Sequence, residues 1–192
     1  MSNQWYCWRE FMRKLSYQEI FAQRPTLSEI SGMPRLPLYC LAENIRSLYN
    51  VGSIFRTSDA VMLSHLYLTG FTGFPPRKEI AKTALGAVDS VPWSHIPDSA
   101  EAVRRLKQKG IRITALEHTS RSVSYLDHAY QFPFCLVIGN EVDGISETLI
   151  QEADEAIEIP MLGLKQSLNV SVAYGVVMFH ALNAYQKQFP AP

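Results

Sequence analysis

The segment LKQSLNVSVAYGVVMFHAL, residues 164–182, reads as a helix that is apolar on nearly every face, yet Lys165, Gln166, Ser167 and Asn169 crowd its first turn. Such a helix is buried on most of its surface. Its N-terminus presents unpaired N–H groups and partial positive charge to a loop crevice, so hydrogen-bonding side chains gathered there mark a site. Two other segments have the same character. AENIRSLYNVGSIFRTSDA (residues 42–60) carries Asn50 and Arg56, and GNEVDGIS (residues 139–146) carries Gly139, Asn140 and Glu141. Each residue also has a bland reading. Ser167 fits an N-cap, which leaves Asn169 inside the helix, where Asn is a mediocre choice. Asn50 fits an N-cap too, Glu141 could be a solvated strand end, and Arg56 has Asp59 and Glu141 as ion-pair partners.

Other chemistries fail on pattern. There is no GxGxxG after the first strand and no GxxxxGK[ST], so a nucleotide-phosphate cradle is not expected. His65, His95, His118, His128 and His180 show no HxxxH spacing and no neighbouring Cys pair, so no metal site is expected. The GxSxG elbow of a Ser-His-Asp hydrolase is missing as well.

The elements that must position these residues alternate in type. Strands are expected over residues 36–43, 65–70, 111–117, 134–141 and 155–161. Helices are expected over 51–63, 99–110 (capped by Asp98 or Ser99 and ended by Gly110), 146–154 (opened by Ser146), and from Ser167 onward. GFTGFPPRKE, residues 70–79, reads as a turn-rich loop. Alternating strands and helices give an α/β class: a mostly parallel sheet with helices on both faces. Ligands settle outside the carboxyl ends of such strands, where the three polar segments lie.

At 192 residues and 47% hydrophobic content the chain suits one core. Lys+Arg and Asp+Glu both total 18, so no overall field advertises a polyanion. Cys7, Cys40 and Cys135 form no CxxC pair and fit reduced thiols in the cytoplasm. Neither a signal peptide nor a membrane span is expected. Trp5, Trp8, Phe11, Met12 and Leu15 fall at helical spacing, so residues 1–35 are expected to form a helical extension docked on a domain of residues 36–188. Arginines among those aromatics could stack on unpaired bases with them. The basic run at residues 104–112, with Arg77 and Lys78, reads as a solvated face.

Taken jointly and in order, NVGSIFRTSDA (50–60), LVIGNEVDGIS (136–146) and IEIPMLGLKQSLNVSVAYG (157–175) resemble the three signature motifs of the SpoU (TrmH-type) branch of the SPOUT RNA methyltransferases. The resemblance runs from Leu36 to the end of the last helix. It implies S-adenosyl-L-methionine-dependent methyl transfer to a ribose 2′-hydroxyl of RNA, a deep C-terminal trefoil knot and a homodimer. Arg56 would help activate the hydroxyl, with Ser167 and Asn169 gathered near the target ribose and Asn50 and Glu141 completing the catalytic set. Because a guanidinium keeps its proton, orienting a phosphate or stabilising an alkoxide suits Arg56 better than acting as a base. Gly139, Asn140, Ile159, Met161 and Leu168 would line the cofactor pocket, with Leu116 at its own strand end. Gly139 would admit close approach of a ligand, while Ile159 and Leu168 could equally be core. In a dimer, Arg56 is the leading residue to cross into the partner's site. Transfer RNA is the expected substrate ahead of ribosomal RNA, and the alternative is a catalytically silent RNA-binding or assembly protein on the same fold.

Overall fold

The computed structural model describes residues 12–190. The chain divides after residue 33 into two compact units. In the first, α1 (Tyr17–Phe21) and α2 (Leu27–Gly32) each open with a capping box, Ser16 with Glu19 and Thr26 with Glu29. The expected aromatic stripe is not a helix through its described part. Met12 and Leu15 precede α1, because the box at Ser16 starts the helix there. Trp5, Trp8 and Phe11 lie outside the described residues.

The second unit is an α/β sheet. Its strands are β1 (Leu36–Glu43), β2 (Leu63–Thr69), β3 (Trp93–Ile96), β4 (Arg112–Leu116), β5 (Val123–Ser124), β6 (Phe134–Ile138) and β7 (Glu155–Glu158). They pair in the order β3-β2-β1-β6-β4-β7-β5, every ladder parallel. The helices are α3 (Leu48–Ala60), α4 (Lys78–Ala84), α5 (Ala87–Ser90), α6 (Ser99–Gln108), α7 (Glu147–Glu152) and α8 (Val170–Gln188). Strand alternation divides the apolar side chains between two cores. Leu38, Cys40 and Ala42 of β1 pack with Val51, Ile54 and Phe55 of α3 and with Tyr174, Val177, Met178 and Ala181 of α8. Leu41 and Val137 face the other way, against Ala102, Val103 and Leu106 of α6 and Leu149 of α7.

Several boundaries differ from the sequence reading, each for a local reason. Ser47 caps α3 by accepting from the Asn50 N–H, so the helix starts before Val51, and Asn50 sits in its first turn rather than at its cap. The loop expected over residues 70–79 ends at Arg77, and its last two residues already belong to α4, which runs against α3 at Gly52, where a Cβ would collide with the Ile80 carbonyl and the Thr83 hydroxyl. Gly52 therefore serves the close packing of α3 on α4. Asn169, not Ser167, caps α8, its Oδ1 accepting from the Ser171 N–H (2.9 Å). Residues 159–169, partly expected as strand and helix, form an exposed loop instead. Among the described residues no helix is long and apolar enough to cross a membrane.

Candidate active site

The carboxyl ends of β6, β4 and β7 lie side by side, and the segments leaving them enclose a cavity of about 310 Å³. An open parallel sheet offers ligands this position. Leu116, Gly139, Asn140, Ile159, Met161 and Leu168 all line the cavity, together with Glu141 and Ser167.

Asn140 shapes the wall rather than reaching inward. Its Nδ2 donates to the Asn44 carbonyl (2.8 Å), and its Oδ1 accepts from the N–H groups of Val142 (2.8 Å) and Asp143 (3.1 Å). Its backbone exchanges hydrogen bonds with Gly144, closing a tight turn. Gly139 is required by that turn: a Cβ there would strike the backbone of Gly144 and Ile145. The close approach at Gly139 is thus made by the protein's own loop, not reserved for a ligand.

Three of the catalytic candidates join in one chain of hydrogen bonds. Asn169 Nδ2 donates to Asn50 Oδ1 (3.0 Å), and Asn50 Nδ2 donates to Glu141 Oε1 (2.8 Å). Glu141 also accepts the N–H groups of Arg46 (2.9 Å) and Ser47 (3.0 Å), just ahead of α3. Burial raises its carboxyl, but these hydrogen bonds outweigh that and hold it below the usual carboxylate range. Both oxygens are thereby engaged as acceptors, so Glu141 fixes Asn50 and the start of α3 in place. Arg56 lies elsewhere. It is exposed on α3 and lines an open groove with Lys82, Thr83, Leu85 and Phe179. Neither expected ion-pair partner holds it: Asp59 accepts from Ser90 (2.5 Å), and Glu141 is engaged as described.

The sequence reading stopped at Leu116 and missed the residues beyond it. Glu117 accepts from the N–H groups of Ile145 (3.0 Å) and His118 (2.9 Å), tying the end of β4 to the turn after β6. His118 Nε2 lies 3.0 Å from the Gln166 carbonyl, which can only accept, so that nitrogen carries a proton. Its Nδ1 faces Glu158 Oε2 at 3.3 Å. Hydrogen bonds from Ser122 and from His118 keep the Glu158 carboxyl below its ordinary range. The signal was a run of polar residues, EHTS, directly after a strand. His118 latches the loop that carries Ser167 and Leu168 onto the β4 side of the cavity. Replacing it with Ala is expected to weaken binding of S-adenosylmethionine by about 3- to 10-fold, the worth of one hydrogen bond. His118→Gln, which keeps a donor near the Nε2 position, should retain most of the affinity by calorimetry.

Residues 37–179 match the SpoU rRNA Methylase family. The chain belongs to this family. Every candidate residue above falls within the stretch matched to the SpoU family, while α1 and α2 precede it. The chain is 37% identical over 162 residues to the tRNA (guanosine(18)-2′-O)-methyltransferase of Thermus thermophilus, covering 83% of this chain and 81% of that one. Its fold is similar to the crystallised TrmH/SpoU tRNA modifying enzyme of Aquifex aeolicus, with a TM-score of 0.76 at 31% identity over 84% of this chain and 82% of that one. It is also similar to the AdoMet-bound rRNA methyltransferase of Sinorhizobium meliloti, with a TM-score of 0.71 at 29% identity over 80% of this chain and 57% of that one.

Proposed function

We propose that this protein is an RNA methyltransferase that moves a methyl group from S-adenosyl-L-methionine to a ribose 2′-hydroxyl of transfer RNA, acting in the cytoplasm as a homodimer. The observation that carries this reading is the meeting, at one edge of the sheet, of residues from all three motifs. Asn50, Glu141 and Asn169 share one hydrogen-bond chain, and Glu141 also lines the cavity that holds Gly139, Met161 and Ser167.

The cavity suits the cofactor. Leu116, Ile159, Met161 and Leu168 supply apolar walls for the adenosyl part, and Glu117, Asp143 and Glu158 make its rim acidic, which favours a cationic ligand. When bound, S-adenosyl-L-methionine supplies a methyl group on a sulfonium, activated for displacement. The protein must then hold the ribose oxygen in line and accommodate the charge that develops on it. Ser167 and the Asn50 and Asn169 amides provide orienting groups. Glu141, with both oxygens already accepting, orients rather than removes a proton. Arg56, always charged, is suited to a phosphate or a developing alkoxide.

Because Arg56 lines no wall of the cavity in its own chain, the site is completed by Arg56 of a second copy. Exposed apolar residues support such a pairing: Leu162 and Leu164 in the 159–169 loop, and Val172 and Phe179 two turns apart on one stripe of α8. The C-terminal segment is proposed to be threaded as a deep trefoil knot. Supporting this, residues 118–133 touch β7 and the chain after it at several points: β5 pairs with β7, His118 meets Gln166, and Tyr125 and Tyr130 pack on His180 of α8.

Transfer RNA follows from the activity named for the Thermus relative, and guanosine 18 is the first position to examine. The test is methyl transfer from labelled S-adenosylmethionine to unmodified transfer and ribosomal RNA, followed by nucleoside analysis. Label is expected as a 2′-O-methyl nucleoside in the transfer RNA pool. Cofactor binding without label in either pool would replace this reading with that of a silent RNA-binding protein.

A further inference from the structure

The basic segments of the chain differ in what their charges meet. Arg104 pairs with Asp98 and Glu101, Arg105 with Glu101 (2.7 Å), Lys107 with Glu152 (3.3 Å), and Arg112 with Glu155 (3.1 Å). Those cations are neutralised within the fold. Arg46, Arg77, Lys78 and Lys82 are exposed, and among the described residues no carboxylate lies within ion-pair distance of them.

These free cations share one edge with exposed aromatic rings. Arg46 and Tyr49 follow β1, and Phe71, Arg77 and Lys78 follow β2, its parallel neighbour, so both segments leave the sheet at the edge where the cavity lies. Their backbones are anchored. The Phe71 N–H donates to Asn44 Oδ1 (3.1 Å), and the Thr83 hydroxyl donates to the Tyr49 carbonyl (2.9 Å). A Cβ on Gly73 would meet the Leu48 side chain, so the loop after β2 lies against the start of α3. Yet Tyr49 and Phe71 remain 49% and 64% exposed, and the Lys82 ammonium stands over the Tyr49 ring at 5.9 Å. Asn50, the next residue along α3, is the middle of the hydrogen-bond chain in the candidate site. Glu79 is the acid within the stretch and leaves it net positive.

We propose that this surface binds the unpaired stretch of substrate RNA next to the reacting ribose. Tyr49 and Phe71 stack on bases, and Arg46, Arg77, Lys78 and Lys82 hold phosphates. Anchored backbone under exposed rings, beside unpaired cations, is the combination that single-stranded RNA requires: every base has a face to stack, and phosphates replace the missing carboxylates. This inference rests on the RNA methyltransferase reading above.

The test is binding of an unmodified transfer RNA transcript to the full chain across a range of salt, with S-adenosylmethionine affinity and melting temperature as readouts of an intact fold. Arg77→Gln with Lys78→Gln is expected to weaken RNA binding and to flatten the slope of log affinity against log salt by about 1 to 2. Tyr49→Ala with Phe71→Ala should weaken it about 10-fold or more with the slope unchanged, and Tyr49→Trp should restore the stacking contribution. Arg104→Gln with Arg105→Gln, which removes paired charges, should change neither. RNA affinity and slope equal to wild type in both surface variants, while wild type methylates the transcript, would overturn the surface and leave the function standing. If wild type neither binds nor methylates RNA, and an acidic protein takes this face instead, the function reading and the surface fall together.

Discussion

Arg56→Ala is expected to lose methyl transfer by about 100- to 1,000-fold or more, the scale of removing one preorganised charge-stabilising donor. S-adenosylmethionine binding should be unchanged, because Arg56 lines the α3–α4–α8 groove and not the cavity. Arg56→Lys should recover little, since an ammonium does not reproduce the planar fork of donors. Mixing subunits separates the shared-site reading from its competitor. In a dimer of one Arg56→Ala chain and one Asn169→Ala chain, a shared site would leave one of the two sites fully wild type, and part of the activity should return. Sites built within single chains would each carry one lesion, and no activity should return. Loss of cofactor binding together with activity in Arg56→Ala would refute the placement outright.

Gly139→Ala should remove cofactor binding and destabilise the domain by about 1–3 kcal/mol, the cost of forcing extra volume into packed structure. The new Cβ meets backbone atoms of Gly144 and Ile145, not the end of a flexible side chain. That backbone has little freedom to yield. Asn140 closes the turn with its Oδ1 and Nδ2, and Glu117 holds the Ile145 N–H at 3.0 Å. Displacing the turn moves Asn140, Glu141 and Asp143, all of which line the cavity. Calorimetric titration with S-adenosylmethionine and a thermal melt check both parts. A variant with wild-type affinity and melting temperature would show that the turn absorbs the methyl group and that the geometry argued here is too strict.

The two variants probe different levels of legibility. Arg56 was legible as a member of a motif, and so was Gly139, but the reasons they matter were not. From sequence Gly139 is an opening for a ligand, whereas the space beside it is taken by the backbone of Gly144 and Ile145. Both Ser167 and Asn169 belong to the site from sequence, and a bare N-cap role for Ser167 leaves Asn169 inside the helix without a purpose. Asn169 proves to be the cap, and it spends its amide N–H on Asn50. Helix α4 was hidden behind the Pro-rich loop, because Pro75 and Pro76 are strong turn signals and the helix after them is short.

What the sequence determined by itself was everything governed by near neighbours. Short, nearly continuous apolar runs at residues 36–43 and 134–138 set those strands, Asp98 and Ser146 set the starts of α6 and α7, and the polar residue types marked the three segments that leave strand ends. Tertiary structure decided which of those polar groups meet. Asn169 and Asn50 are 119 positions apart, and Asn50 and Glu141 are 91 apart. Hydrogen bonds form only at contact distance, and packing of α3 and α8 on one face of the sheet, not local preference, brings those side chains within 3.0 Å. The same packing turned Arg56 toward a groove outside the cavity, and Arg46, Arg77, Lys78 and Lys82 have no carboxylate partner among the described residues, whereas Arg104 and Arg105 pair with Glu101 at helical spacing within α6.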